Sequence, residues 1–154
     1  MRIVIRQMET REHALCDRIL RGLPDWFGIE EAIVNYVRDL QNMETWIAEA
    51  DGECVGFSAI NQHNEYSAEI HVMAVAEEYH RQGIGRQLVE HSEATLLSRS
   101  VEFLQVKTLS PSRPNTHFER TRRFYERMGF RPLEENLLWG ERNPCLIMVK
   151  HLSS

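Results

Sequence analysis

Val75-Ala76-Glu77-Glu78-Tyr79-His80-Arg81-Gln82-Gly83-Ile84-Gly85-Arg86 follows directly on an apolar run, Ile70 to Ala76, and opens into an amphipathic segment bearing Leu88, Val89, Ser92 and Leu96. The run predicts a strand, the two glycines a turn, and the amphipathic segment a helix whose N-terminus faces the turn. Such a junction aims free backbone N–H groups and the positive end of a helix dipole at one anion. Gly83 and Gly85 lack Cβ atoms, so a phosphate can approach the main chain closely. Arg81 and Arg86 add side-chain charge at the same place. The chemistry this suits is gripping a pyrophosphate.

Two well-known phosphate loops do not fit. No Gly-Lys-Ser/Thr follows the second glycine, so this is not a Walker loop. The dinucleotide fingerprint wants a third glycine where Leu88 stands, and the turn does not open a repeating βαβ pattern. The plain alternative is a surface turn that holds two glycines and three basic residues.

A second stretch bears on the choice. Glu119-Arg120-Thr121-Arg122-Arg123-Phe124-Tyr125-Glu126-Arg127-Met128-Gly129-Phe130 predicts a helix closed by a glycine cap, with Phe130 starting a strand. Together with Arg81-Gln82-Gly83-Ile84-Gly85-Arg86, it resembles the GCN5-related N-acetyltransferases, the GNAT superfamily. The resemblance covers residues 45 to 150 well and the first 45 in outline. It implies that the glycine turn holds the pyrophosphate of acetyl-CoA, that Met73, Ala74 and Val75 lie on the strand pairing with the pantetheine arm, and that Tyr125 lies near the thioester sulfur. Asn115 matches the asparagine that often precedes the tyrosine helix. The implied donor site is therefore Met73, Ala74, Val75, Arg81, Gln82, Gly83, Ile84, Gly85, Arg86 and Asn115. Where the family usually carries Gln or Arg three positions before the first glycine, this chain has His80.

Acetyl transfer to an amine needs a neutral amine, a stabilised oxyanion and a protonated leaving thiolate. By resemblance Tyr125 is the acid and a main-chain N–H near Val75 the oxyanion donor. For the base, strand alternation puts Glu69, His71, Met73 and Val75 on one side of the sheet. Glu69 and His71 are thus the two candidates, acting directly or through water; the plain alternative is a solvated strand end. For the acceptor, Trp26 and Phe27 in the loop Leu23 to Gly28, with Tyr36 below, offer an aromatic wall, and Asp25, Glu30 and Glu31 a pull on a cation. Tying that loop to the core is an equally good use for the two aromatic rings.

A chain of 154 residues is expected to form a single domain, residues 1 to 154, with room for a full core. Its net charge of −5 argues against general nucleic-acid binding, while the arginines gather in the second half. Of these, Arg120, Arg123 and Arg127 read as a solvated helix face paired with Glu119 and Glu126. No apolar run approaches a membrane span. Cys16, Cys54 and Cys145 are far apart, which points to a reducing cytoplasm. The histidines show no metal spacing, so no metal is expected, and no Gly-x-Ser-x-Gly elbow occurs.

The element order predicted is β-α-α-β-β-β-α-β-α-β-β, with Asp51-Gly52 as a hairpin turn. Thr10 is expected to cap the first helix. Ile29, Ile33, Val37 and Leu40 mark one face of the second helix, and the sixth strand runs from Arg131 to Trp139. The fold class is α/β: a mixed, mostly antiparallel six- or seven-stranded sheet with helices on both faces, of acyl-CoA N-acyltransferase type. The function expected is acetyl-CoA-dependent N-acetylation of a primary amine of a small metabolite by direct transfer in a ternary complex. Its alternatives are acetylation of protein N-termini or lysines, and a non-catalytic acyl-CoA-binding module. A homodimer through the last strands is compatible with this reading, and no nucleic acid or membrane partner is expected.

Overall fold

The computed structural model describes residues 1–153. Seven strands form one sheet in the order β1-β2-β3-β4-β5-β7-β6. They are β1 (Ile3–Gln7), β2 (Glu44–Ala50), β3 (Glu53–Gln62), β4 (Ser67–Val75), β5 (Phe103–Leu109), β6 (Arg131–Asn136) and β7 (Cys145–His151). The helices are α1 (His13–Arg21), α2 (Glu30–Asp39), α3 (Ile84–Ser98) and α4 (Thr116–Arg127). Pairings β1–β2, β2–β3, β5–β7 and β6–β7 are antiparallel, and β4–β5 is parallel. The element order and the mostly antiparallel sheet match the sequence reading. The chain divides into two compact units: Met1–Asn61 with His71–Thr95, and Gln62–Ile70 with the chain from Leu96 onward.

In the first unit the strands carry helices on both faces. Cys16, Ile19, Leu20 and Leu23 from α1 and its end, with Ile33 and Leu40 from α2 and the turn after it, pack on Ile47, Phe57, Ala59, Val72 and Ala74. Across the sheet, Ile84 and Leu88 of α3 pack on Ala48, Ala50 and Val55. Each fully buried Leu, Ile, Val or Phe side chain among them contributes about 1.5–3 kcal/mol. Within this layer Ser92 Oγ donates to Leu88 O at 2.8 Å and meets Ser58 Oγ at 3.2 Å. The hairpin between β2 and β3 turns on Asp51 (φ 50°) and Gly52 (φ 89°), both left-handed as a type I′ turn requires.

In the second unit, β5 lies between β4, in register from Ser67↔Phe103 to Ile70↔Val106, and β7. The helix α4 ends in the predicted glycine cap. Phe130 N–H donates to Tyr125 O and Gly129 N–H to Glu126 O, with Gly129 at φ 99°, which together make a Schellman motif. Lys150 Nζ donates to Met128 O at 2.7 Å, and Arg122 Nη1 to Leu109 O, which fixes α4 against the end of β5.

Four boundaries differ from the sequence reading, each for a local reason. Helix α1 starts at His13 with no side-chain cap. Arg6 draws Glu12 into a bidentate ion pair at 2.7 and 2.6 Å, and Glu12 also accepts from Glu9 N–H, so the chain turns before Thr10 can cap. Ile29 is the N-cap residue of α2 and 57% exposed, so it lies off the apolar face that Ile33 and Leu40 occupy. Helix α4 begins at Thr116, ahead of the Glu119 from which the sequence reading takes it, because Asn115 caps it. Strand β6 ends at Asn136, whose side chain accepts from Leu138 N–H and starts the turn through Leu137 to Trp139.

Candidate functional site

The turn after β4 is built as its sequence suggests. Residues Glu77–Tyr79 make one 3₁₀ turn, and His80 returns to extended backbone. Arg81 (φ 64°) and Gly83 (φ 80°) are left-handed, and α3 opens at Ile84. Gly83 O accepts from Gln87 N–H, so Gly83 stands at the helix start and the N–H groups behind it have no intrahelical acceptor. Ile84 is 1% exposed and anchors the helix, whereas Arg81, Gln82, Gly83 and Arg86 are exposed. A Cβ placed on Gly83 would meet nothing within 4 Å. The glycine is therefore favoured by backbone conformation and leaves open space beside the main chain. An exposed helix N-terminus with two left-handed residues before it and two arginines beside it fits a pyrophosphate.

His80 acts as a latch on this turn. Its Nε2 lies 2.7 Å from Val75 O, a hydrogen bond in which the ring N–H donates, and Trp26 meets its ring edge-on at 5.5 Å. The end of β4 is thereby tied to the turn by a side chain, and the loop before α2 is tied to both.

On β4, Met73 and Val75 are half-buried against the Ile84 and Leu88 layer, while Ala74 is buried with Val72 on the α1 and α2 side. Gly56 of β3 is the close neighbour of this segment. A Cβ there would stand 3.1 Å from Ala74 O and 3.3 Å from Val75 Cγ2.

His71 keeps the half-buried alternation that it shares with Met73 and Val75. Its ring reaches α2, with Nε2 3.0 Å from Asp39 Oδ2 and the Tyr36 ring edge-on at 5.5 Å. Phe27 packs edge-on to Tyr36 at 6.0 Å. The aromatic residues expected on the acceptor side are thus divided: Phe27 and Tyr36 join His71, and Trp26 joins His80. All three are half-buried against the α1 and α2 core as well, so the core-tethering use is real. Glu30, expected to attract a cation, is taken by Arg21 at 2.6 and 2.9 Å, which clamps α1 to α2.

Glu69, Tyr125 and Asn115 belong to the second unit. Glu69 is 4% exposed; its Oε2 accepts from Lys107 Nζ at 2.8 Å, and His63 Nε2 lies 3.6 Å from Oε1. Tyr125 is 7% exposed between Phe124 and Phe130, with ring centroids at 5.3 and 5.5 Å. Burial pushes its phenol far above the ordinary range, so the O–H stays protonated across physiological pH. Asn115 Oδ1 accepts from His117 N–H and Phe118 N–H, so its observed work is capping α4. Arg123 pairs with Glu119 at 2.6 Å, as a solvated helix face would. Among the described residues no group of three or more His, Cys, Asp or Glu side chains is placed to hold a metal.

Comparison with known proteins decides the family. The acetyltransferase (GNAT) domain matches residues 41–132. The chain belongs to the GNAT family. It is 31% identical over 119 residues to an uncharacterized N-acetyltransferase of Chlorobaculum tepidum, a match covering 75% of this chain and 66% of that protein. Its fold is similar to a GNAT-family protein from Desulfovibrio desulfuricans (TM-score 0.85, 17% identity, 99% of this chain and all of that one). It is also similar to the PaiA N-acetyltransferase of Thermoplasma acidophilum, solved with coenzyme A (TM-score 0.79, 18% identity, 98% and 99% covered).

Sequence reasoning missed Asp39, Gly56 and Lys107, and gave His80 no role. Two of them left a trace. Asp39 is an acid in the last turn of a helix, the wrong end for the dipole. Gly56 is an isolated glycine inside a strand, which marks a close approach of backbone.

Proposed function

We propose that this GNAT-family chain is an acetyl-CoA-dependent N-acetyltransferase, a single domain that moves the acetyl group to a primary amine by direct transfer in a ternary complex. The observation that carries the reading is the turn from Arg81 to Arg86, left-handed at Arg81 and Gly83, open beside Gly83, and set at the start of α3. In a GNAT chain such a turn is the grip for the donor's pyrophosphate. Arg81, Gln82, Gly83, Ile84, Gly85 and Arg86 would hold it, with Met73, Ala74 and Val75 along the pantetheine and Asn115 near the donor.

The neutral amine attacks the thioester carbonyl, and an N–H near Val75 supports the oxyanion. As the C–S bond breaks, Tyr125 O–H gives its proton to the leaving sulfur, the phenol being protonated at neutral pH. Glu69 or His71 takes the proton lost by the amine. Trp26, Phe27 and Tyr36 bound the acceptor side, and Asp25 and Glu31 favour a cationic small metabolite over a neutral one. Three free thiols fit a reducing cytoplasm.

The test is calorimetric titration with acetyl-CoA, using ATP and NAD as controls, followed by release of free CoA across a panel of small amines, amino acids and peptide N-termini. Selective binding of acetyl-CoA with turnover of small amines is the expected result. Turnover of peptides alone would replace the metabolite by a protein acceptor, and binding without turnover would leave an acyl-CoA-binding module.

A further inference from the structure

We propose that His80 is a positioning residue for the acetyl donor: its bond to Val75 braces the turn 81–86, so that the pyrophosphate meets a grip already shaped. The inference deepens the reading above and rests on it.

The turn needs a brace because part of it is strained. Arg81 stands at φ 64°, where its Cβ crowds the following carbonyl oxygen, and it is exposed, so no packing around its side chain holds it there. Such backbone persists only where its surroundings over-determine it. On the C-terminal side the hold is Ile84, 1% exposed at the start of α3. On the other side the residue next to Arg81 is His80. Its ring N–H donates to Val75 O at 2.7 Å, and the Trp26 ring meets it edge-on at 5.5 Å. Residues 81–83 are thus strung between two fixed points.

The bond does little else. The end of β4 is already paired with β3 through Ala76 N–H and Val55 O at 2.8 Å, and Tyr79 already packs on the Ile84 and Leu88 layer. What His80 adds is the position of the residues after it. A histidine suits that work better than the Gln or Arg usual at this place in the family, because its ring has fewer side-chain torsions to fix. A turn held in its bound shape before binding loses less freedom when the donor arrives, and that difference appears as affinity.

Backbone ¹⁵N relaxation of the unliganded chain tests the brace directly. The order parameters of Arg81, Gln82 and Gly83 should lie near the rigid value of about 0.85 and fall below about 0.6 in His80→Ala. His80→Phe keeps a ring against Trp26 and loses the N–H, so it should behave as His80→Ala does. In both variants the Kd for acetyl-CoA, read by calorimetry, should rise about 10-fold, and KM for acetyl-CoA with it, while kcat falls far less. A merely structural role would lower the urea midpoint and leave that Kd alone. His80→Gln keeps an N–H donor and should recover most of the affinity. A mobile turn in the unaltered chain, an unaltered Kd in His80→Phe, or a His80→Gln variant as weak as His80→Ala overturns the proposal and leaves the enzyme reading standing. An unaltered chain that does not bind acetyl-CoA overturns both.

Discussion

Replacing Gly56 by alanine adds one methyl group at the place where β3 approaches the segment assigned to the donor. The new Cβ would stand 3.1 Å from Ala74 O, 3.3 Å from Val75 Cγ2 and 3.4 Å from Leu88 Cδ1. The two side-chain contacts can relax by small torsions. The carbonyl cannot, because it belongs to a strand inside the sheet, so β4 must move by a few tenths of an ångström. Crowding of this kind costs about 1–3 kcal/mol. Against it stands the reduced entropy of the unfolded chain, about 0.4–1 kcal/mol in favour of alanine. The net expectation is a loss of about 1 kcal/mol, read as a lower urea midpoint with an unchanged slope. Because the shift falls on Ala74 and Val75, acetyl-CoA affinity should fall too, by about 5- to 10-fold, or roughly 1–1.4 kcal/mol. Calorimetric titration of the folded variant measures that separately. A Gly56→Ala chain as stable as the original refutes the packing argument. A destabilised chain with unaltered affinity refutes the assignment of Ala74 and Val75 to the donor.

Other perturbations test single features. Gly83→Asp should fold, since the position is open and aspartate tolerates left-handed backbone better than most residues, yet it should weaken acetyl-CoA binding more than 10-fold by steric block and repulsion of the pyrophosphate; titration calorimetry reads this. Tyr125→Phe keeps the buried ring and removes the O–H, so kcat should fall by about 100-fold or more while the Kd for acetyl-CoA changes less than about twofold; unaltered kcat would return Tyr125 to core packing. The Arg6 guanidinium holds the Glu12 carboxyl down to about 2, below the ordinary carboxylate value of about 4.3. Its contribution is therefore present above about pH 4.3 and lost as the pH falls toward 2. Glu12→Gln should cost about 1 kcal/mol at pH 7, an allowance reduced for solvent exposure, and should flatten the acid limb of urea midpoints measured from pH 7 to 2.

What the sequence disclosed was whatever is encoded within a few residues. The turn from Arg81 to Arg86, the Asp51-Gly52 hairpin and the Gly129 cap each depend on backbone conformations that few residue types permit, so composition names them in advance. The α3 face of Leu88, Val89, Ser92 and Leu96 is likewise buried as its spacing requires. Local rules failed where a distant partner outbid them. Thr10 lost the cap of α1 because Arg6, on β1, had already engaged Glu12. Alternation placed His71 with Met73 but could not name its partner, a carboxylate on α2.

Those distant partners account for most of what the site reading lacked. Asp39 lies 32 positions from His71, and Lys107 lies 38 from Glu69. No periodicity reports a contact across such a distance, since it exists only after the sheet has formed. A contact of that kind still leaves a mark when one member sits badly in its own element. Asp39 at the C-terminal end of a helix and Gly56 within a strand are both unfavourable where they stand, by about half to one kcal/mol each. Lys107, in a strand beside residues that welcome it, leaves no such mark and could not have been found. In this chain the residues that disobey their local structure are thus the ones worth pairing first, and Asp39 with His71 is the pair that follows.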